Sequence, residues 1–429
     1  MSQYKIIHPH ERPDLQHWIP LSFQHVFAMF GATILVPILT GLDPATALFT
    51  AGTGTLIYIL CTGAKVPAFL GSSFAFIPPL IGITAAYGVS YALGGAMIAG
   101  LFYCIVGLII RFAGTKWLDR ALPPVVIGSV IVVIGLNLAP VGMNMAMNDP
   151  QGNYSLVYLS IAVVTLGITV VSNIFFKGFL STIPILFGLL GGYLFTLIMG
   201  FIFPTYAIID FNEVKNTPWF GTPSFHAPRF GLVPIMTFVI VSLATICEHL
   251  GDTLVTSKIV GQDFYKNPGL HRTLTGDGLA TAWAAIWGGP PNTTYGENIG
   301  VMAITHVYSV WVIGGAAVVA VLLSFFRKFG ALILTIPSPV LGGISILLFG
   351  IIASSGLRTI VESGVDYKDK HNLTITSVIL VIGIGGGRLA FNVTQDLRFE
   401  LAGVALATVV GIILNLFFPS DKSTAQPCK

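Results

Sequence analysis

Long apolar stretches, separated by short polar ones, run through the whole chain. Each is of a length that predicts a membrane-spanning helix, since about 20 apolar residues cross the hydrocarbon core of a bilayer. The first half predicts seven spans, at 21–40, 45–62, 67–86, 91–112, 122–140, 155–176 and 180–203. The second half predicts seven more, at 231–255, 272–288, 293–306, 309–327, 332–354, 373–387 and 400–418. The pattern therefore predicts an all-α polytopic membrane protein with 14 transmembrane segments.

The third and tenth segments are interrupted by prolines, glycines and polar residues. The interruptions are Pro67–Phe76 and Pro290–Gly300. Backbone that leaves a helix at membrane depth is tolerated only where it is buried in protein or lines a cavity. We expect each segment to fold as a short extended strand followed by a half-helix whose N-terminus points at a ligand. The alternative for the tenth is a capped loop at the membrane surface.

The two interrupted segments belong to a repeated pattern. The matching pairs, in chain order, are Ser72–Ala75 with Thr293–Gly296, Gly94–Ala96 with Gly314–Ala316, and Pro124–Gly128 with Pro339–Gly343. Three matches in the same order indicate an internal duplication. An odd number of spans per repeat inserts the second half upside down, so we predict a 7+7 inverted repeat. Paired interrupted segments are typical of a transporter's binding site.

Composition excludes several classes of protein. Hydrophobic residues make up 54% of the chain and charged ones 9%, against about 25% charged in soluble domains. A net charge of +3 without a basic run gives no support for nucleic-acid binding. The cysteines lack metal-binding or disulfide spacing, and no hydrolase motif occurs. We therefore expect neither an enzyme nor a metal site. The four cysteines are Cys61, Cys104, Cys247 and Cys428.

The predicted loops favour one orientation and the spans fall into two groups. With the N-terminus inside, 15 of the 21 lysines and arginines lie on the cytoplasmic side, which predicts cytoplasmic termini. The loop at 204–229 is expected to form a structured external cap. Spans with polar breaks are predicted to form a core, and the nearly featureless spans a gate. The core parts are 1–116 and 230–330, and the gate parts are 117–229 and 331–429.

Three carboxylates lie in otherwise apolar surroundings. Glu248 and Asp252 are four residues apart and share one helix face, and Glu297 follows the break in the tenth segment. Inserting each charge into a bilayer costs about 2.5–3.5 kcal/mol, which favours a functional role. The alternative role is hydrogen bonding to helix ends. Carboxylates accept N–H bonds and repel anions, so they favour a neutral ligand that carries N–H donors.

Other groups near the breaks could complete a site. Phe74 and Tyr295 offer flat faces for stacking on a ring, with ordinary packing as the alternative. Backbone N–H groups near Phe74 and Gly296 could donate to ligand carbonyls. Desolvation favours the protonated form of a buried carboxyl group. We hypothesise that protonation of Glu248 or Glu297 couples ligand binding to a proton.

The motifs also resemble a known family of transporters. Asn292–Val301, Glu248–Gly251 and Gly71–Phe76 together resemble the nucleobase–ascorbate transporter family, most closely its bacterial uracil:proton symporters. The resemblance covers nearly the whole chain. It implies uracil as substrate, alternating access of core against gate, and a homodimer formed through the gate. It also implies the bacterial inner membrane as location, with the proton as coupling ion and no cofactor.

The resemblance assigns contact with the base to Glu248 and Glu297. The predicted substrate-binding set is Ser73, Phe74, Glu248, Tyr295, Gly296 and Glu297, and the predicted proton-coupling set is His25, Glu248, His249, Asp252 and Glu297. For His25, packing in the core is the alternative. Asp252 departs from the pattern, since uracil permeases commonly carry histidine there and purine-transporting relatives often carry aspartate. The alternatives are a purine or xanthine:proton symporter and an anion exchanger of related fold.

Overall fold

The chain is mostly helical in the computed structural model, which describes residues 6–204, 208–394 and 397–418. Cys428 and both chain termini lie outside the described residues. The first half contains α1 (Leu15–Thr40), α2 (Pro44–Cys61), β1 (Leu70–Ser72), α3 (Ile77–Tyr87), α4 (Val89–Ala113), α5 (Lys116–Ala121), α6 (Pro124–Asn137), α7 (Ala139–Met147), α8 (Leu156–Phe175) and α9 (Pro184–Ile202).

The second half is also mostly helical. It contains α10 (Asn212–Asn216), α11 (Leu232–Val260), α12 (Leu270–Ile286), β2 (Asn292–Thr294), α13 (Gly296–Thr305), α14 (Val310–Ser324), α15 (Arg327–Leu334), α16 (Ser338–Glu362), α17 (Lys370–Ile384), β3 (Arg388–Thr394), β4 (Leu397–Ala402) and α18 (Gly403–Phe417).

Many helices are long and apolar enough to cross a bilayer. Among the described residues, eight meet that requirement, and a ninth does if α14 and α15, which bend by 84°, form one span. Phe74–Tyr87, α17 and α18 are shorter apolar helices. The chain is therefore a multi-pass membrane protein. The count of fourteen spans in two inverted halves stays a prediction.

Local sequence explains where several helices begin and end. Asp43 caps α2 by accepting a hydrogen bond from the Ala45 N–H at 3.0 Å, and Pro44 occupies the first helical position, where its missing N–H costs nothing. Gly41 ends α1 with a φ of 73°, a left-handed conformation that glycine adopts without strain. The turn from α1 to α2 is thus specified locally.

A short antiparallel strand pair joins the two halves of the chain. In β1 and β2, Leu70 lies opposite Thr294 and Ser72 lies opposite Asn292. The Tyr295 N–H donates to the Phe69 carbonyl at 3.0 Å and extends the pairing. Each strand leads into a helix, and antiparallel pairing makes the two helices leave from opposite ends of the pair. Each segment thus contains a short strand followed by a helix, while the prediction that both are broken membrane spans stays a prediction.

Glycines let the helices around this strand pair approach closely. A Cβ at Gly100 of α4 would lie 2.5 Å from the Gly278 carbonyl oxygen of α12, and a Cβ at Gly278 would lie 2.5 Å from the Gly100 carbonyl oxygen. Small residues at such crossings are typical of membrane helices. Helices α1–α4 pack with α11, α12 and α14, while α6–α9 pack with α16, and α17 packs with α6 and α18. The division into core and gate domains stays a prediction.

The predicted boundaries were wrong in the last third of the chain. The predicted span at 332–354 joins the end of α15 to most of α16, but Pro337 breaks the helix between them. Helix α16 then runs on to Glu362, because its polar residues near Ser354 and Arg358 line a cavity instead of ending the helix. The span predicted from 400 begins as a helix only at Gly403, after the β3–β4 hairpin.

Within the loop at 204–229, predicted to form an external cap, residues 208–229 contact several helices. The Ser224 N–H donates to Asp43 at 2.8 Å, and the Arg229 N–H donates to the Ser90 carbonyl at 2.8 Å. Trp219 stacks on Phe326 with ring centroids 5.6 Å apart. These contacts tie the segment to the start of α2, the start of α4 and the bend between α14 and α15.

Candidate functional site

A cavity of about 320 Å³ lies beside the β1–β2 pair, between α1, α11 and α13 on one side and α6, α8, α9 and α16 on the other. Of the predicted site residues, it brings together Phe74, Glu248, Asp252, Tyr295, Gly296 and Glu297. These residues come from three separate parts of the chain. We call this space the central cavity.

Helix α11 brings two carboxylates to the wall of the central cavity. Glu248 and Asp252 are 8% and 7% exposed, and their spacing of four puts both on the face that the helix turns toward β2. The Thr293 hydroxyl donates to Glu248 Oε2 at 3.4 Å, and the Thr294 hydroxyl donates to Asp252 Oδ2 at 2.8 Å. Strand β2 therefore orients both carboxylates.

Helix α13 starts at the central cavity. Tyr295 is extended and directly precedes the helix, Gly296 is its first residue, and Glu297 lies in its first turn. Gly296 is exposed to the cavity and Glu297 is half-buried. The first-turn N–H groups of a helix have no intrahelical acceptor, and the helix dipole favours an acidic side chain there. The cavity wall thus combines a carboxylate with backbone donors.

The two aromatic residues of the predicted set are held by protein contacts. The Phe74 ring lines the cavity and meets Phe349 of α16 edge-on, with centroids 5.8 Å apart and planes at 79°. The Tyr295 hydroxyl donates to the Ser72 carbonyl at 3.2 Å and accepts from the Thr33 hydroxyl at 3.2 Å. A Cβ at Gly71 would lie 2.4 Å from the Tyr295 ring. For Tyr295 these contacts favour a bracing role, which was the packing alternative.

Three residues of the predicted sets lie outside the cavity lining. Ser73 is fully buried, and its N–H donates to the Pro291 carbonyl at 2.8 Å. Because Ser73 has extended backbone, its side chain points away from the face that Phe74 presents. His25 contacts Asn298, with 3.0 Å between its Nδ1 and the amide Nδ2. Asn298 directly follows Glu297 in α13. It therefore links His25 indirectly to the cavity.

His249 faces a second buried polar group behind the cavity wall. Its Nδ1 lies 2.9 Å from Asp277 Oδ2, and both side chains are fully buried. Its Nε2 lies 3.0 Å from the Thr273 hydroxyl and 3.4 Å from the Thr253 hydroxyl. Successive side chains along an α-helix point about 100° apart. His249 therefore faces α12, whereas Glu248 faces the cavity.

Comparison with known proteins identifies the family. The model of the Permease family, Xan_ur_permease, matches residues 16–392. This chain belongs to that permease family. The chain is 52% identical over 415 residues to the uracil permease of Bacillus subtilis, with 94% of this chain and 93% of that protein covered. It is 47% identical over 410 residues to the uracil permease of Escherichia coli strain K12, with 95% and 92% covered.

A solved structure supports the fold assignment. The transmembrane domain of a cyanobacterial bicarbonate transporter, BicA, superimposes with a TM-score of 0.67 at 17% identity, covering 96% of this chain and 100% of that one. At this identity the likeness concerns the fold alone. Family membership and multi-pass architecture together make the protein a membrane permease and not an enzyme. The family resemblance inferred from the three sequence motifs is thereby confirmed.

The sequence-based prediction missed a buried carboxylate of this permease. Asp277 lies within the predicted span at 272–288, yet only three carboxylates were singled out as lying in apolar surroundings. The flanking Gly276 and Gly278, with the threonines before them, make that stretch look polar. A search for any acidic residue inside a predicted span would have found Asp277.

The prediction also missed the polar groups that the opposite wall gives to the cavity. They are Asn173, Ser181, Thr182, Ser354, Ser355 and Arg358, from spans that look featureless in sequence. Thr182 also accepts a 2.8 Å hydrogen bond from the buried Gln24 amide of α1. Scattered polar residues in apolar helices form no sequence motif. Only the folded structure shows that they line one cavity. The permease cavity is therefore polar on both sides.

Proposed function

We propose that this permease imports uracil together with a proton by alternating access. The observation that carries the proposal is the meeting of Glu248, Glu297 and the first turn of α13 at one cavity. Relatives named uracil permease, 52% and 47% identical over nearly their full length, support the substrate. The proposed location is the bacterial plasma membrane, with both termini in the cytoplasm.

The chemistry of the cavity suits a uracil ring. Uracil carries two N–H donors and two carbonyl acceptors. Glu248 and Glu297 can accept N–H bonds, and the first-turn amides of α13 can donate to a carbonyl. Phe74 adds an apolar ring to the wall. At about 320 Å³, the cavity falls at the lower end of the roughly 300–1,000 Å³ range of ligand pockets.

Proton coupling is proposed from the lack of a cationic partner. Among the described residues, no lysine, arginine or histidine nitrogen lies within 4 Å of a carboxylate oxygen of Glu248, Asp252 or Glu297. A buried carboxylate without such a partner carries an uncompensated charge that a proton removes. In this proposal Glu248 or Glu297 holds the proton, and Asp252, His249 or His25 assists its transfer.

Alternating access is proposed as motion of the core against the gate. The β1–β2 pair joins both halves of the chain within the core, in keeping with a 7+7 inverted repeat of 14 spans. The central cavity opens between helices assigned to the two domains, so relative motion would expose it to either side of the membrane. A homodimer through the gate domains would give the moving core a fixed support.

Competition of labelled uracil uptake tests substrate and coupling together. The purified permease is reconstituted in liposomes, and uptake is measured at two external pH values with unlabelled uracil, thymine, xanthine or sulfate as competitor. We expect uracil to compete best and uptake to rise as the external pH falls. Uptake that does not depend on pH would contradict symport with a proton. Strong competition by sulfate would favour an anion exchanger.

A purine or xanthine symporter is the second candidate. The observation that favours it is the carboxylate of Asp252 in the cavity wall, where histidine is common in uracil permeases. The Thr294 hydroxyl donates to that carboxylate at 2.8 Å, so a protein contact fixes the position of Asp252 in the wall. Preference for xanthine in the competition assay would support this candidate over uracil.

A further inference from the structure

A second cleft lies on the exposed flank of α4 and α12, away from the central cavity, with the end of α2 at its edge. Its volume is about 560 Å³. The lining residues are Cys61, Leu101, Cys104, Ile105, Gly107, Leu108, Arg111, His271, Arg272 and Thr275. None of these residues lines the central cavity. We call this the α4–α12 cleft.

One end of the α4–α12 cleft is cationic. Arg111 lies in the last turn of α4 and is exposed, and Arg272 lies in the first turn of α12 and is also exposed. His271 lies between them in the lining. Among the described residues, no carboxylate oxygen lies within 4 Å of either guanidinium group. Two unpaired guanidinium groups at one opening form a site for an anion with several oxygens.

The rest of the α4–α12 cleft is apolar and open to lipid. Leu101, Ile105 and Leu108 are 38%, 54% and 53% exposed on the face of α4 beside the cleft. The floor is narrow because α4 and α12 touch there: a Cβ at Gly107 would lie 2.5 Å from the Thr275 hydroxyl. In a membrane, such a face meets acyl chains and not water. The cleft therefore continues from a cationic opening into an apolar groove.

We propose that the α4–α12 cleft binds an anionic phospholipid. The phosphate lies between Arg111 and Arg272, and one acyl chain follows Ile105 and Leu108 along α4. A free phosphate ion would satisfy the arginines but would leave the apolar groove unfilled, so the two-part shape selects a lipid. Basic openings between membrane helices on the cytoplasmic side are typical of such sites, and positive-inside charge bias predicts that side for this end of α4.

A bound lipid would act on the core and leave the central cavity untouched. It would contact α2, α4 and α12 where they converge, and α12 also carries Asp277, which faces His249. Filling the cleft should therefore stabilise the fold of the core. This inference stands apart from the proposed substrate, since uracil and lipid use different residues.

Native mass spectrometry of the delipidated permease tests the site. Dioleoyl phosphatidylglycerol and dioleoyl phosphatidylethanolamine are added back at equal ratios to wild type, to R111Q/R272Q and to the control K116Q/R120Q. The control removes the same charge from α5, directly after α4 and outside the cleft. We expect wild type and control to retain one bound phosphatidylglycerol. In R111Q/R272Q the ratio of lipid-bound to lipid-free protein should fall at least tenfold. Equal retention in all three proteins would overturn the proposal.

A second variant separates the groove from the charges. Ile105→Trp fills the apolar groove and keeps both arginines, so it should also lose phosphatidylglycerol while still binding inorganic phosphate as wild type does. Phosphatidylglycerol bound by Ile105→Trp as tightly as by wild type, or displaced from wild type by millimolar inorganic phosphate, would show an anion site only and overturn the lipid assignment. Labelled uracil uptake by both variants in phosphatidylglycerol liposomes checks that they are folded.

Discussion

At the scale of single residues, the two glutamates of the central cavity are held differently. Glu248 accepts a hydrogen bond from Thr293 and is nearly fully buried, whereas Glu297 lies half-buried in the first turn of α13. Glu297 is thus the carboxylate with fewer protein contacts to give up. We infer that Glu248 orients the ligand and that Glu297 is freer to change its hydrogen-bond partners during transport.

Replacement of Glu297 by glutamine should abolish uracil accumulation. Loss of one charge-assisted hydrogen bond costs about 1.5–3 kcal/mol, which corresponds to roughly a 10- to 150-fold loss in affinity, and the glutamine cannot carry a proton. Uptake driven by a pH gradient in liposomes measures the effect. Glu362→Gln is the matched control, because Glu362 is exposed and pairs with Lys258 at 3.3 Å. Normal accumulation by Glu297→Gln would remove Glu297 from the mechanism.

The buried His249–Asp277 pair should contribute far more to stability than a surface pair. His249 Nδ1 and Asp277 Oδ2 lie 2.9 Å apart and are fully buried, and a buried polar group that loses its partner costs about 1–3 kcal/mol. Asp277→Asn should therefore lower the thermal midpoint in detergent strongly. Asp263→Asn is the control, because Asp263 pairs with Lys266 at 3.1 Å on the surface, where a change within about 0.5 kcal/mol is expected. Equal midpoints for the two variants would contradict a stabilising role of the buried pair.

At the scale of elements, local signals predicted more than long-range ones did. Pro67, Gly71 and Pro290 mark the two strand-plus-helix segments, because proline and glycine disrupt helices wherever they occur. The side on which a residue lies is a tertiary property. Ser73 faces away from the cavity and His249 faces α12, and neither orientation could be deduced without the β1–β2 register and the packing of α11.

Contact between α4 and α12 should not tolerate a methyl group at the crossing. A Cβ at Gly278 would lie 2.5 Å from the Gly100 carbonyl oxygen and 2.6 Å from the Tyr103 Cβ, so Gly278→Ala must push the helices apart. Overpacking of this kind costs about 1–3 kcal/mol. Thermal unfolding in detergent measures the loss. Gly167→Ala of α8 is the control, since nothing lies within 4 Å of its added Cβ and alanine favours a helix. A Gly278→Ala midpoint at or above that of wild type would contradict close packing.

At the scale of the whole molecule, two groups of helices together form the central cavity. The group of α1, α11 and α13 brings the carboxylates, and the group of α6, α8, α9 and α16 brings serines, Asn173 and Arg358. Most helices of the second group belong to spans that look nearly featureless in sequence and are predicted to form the gate. In the proposed mechanism, the polar lining of this group would give the ligand different partners as the groups move, and it would then influence which substrates pass.

The Gln24–Thr182 hydrogen bond offers a way to stop that motion. It joins α1 to the turn before α9 at 2.8 Å and is buried, so it crosses between the two groups of helices. If the groups rock during transport, this contact must break in each cycle. Cysteines at both positions, in a background with the native cysteines replaced by alanine, can be joined by a short bifunctional methanethiosulfonate. Uracil uptake should fall in proportion to the cross-linked fraction and return on reduction, while either single cysteine treated in the same way should keep its activity. Full uptake by a completely cross-linked protein would mean that α1 and the turn before α9 move together, and the moving boundary would then have to lie elsewhere in the fold.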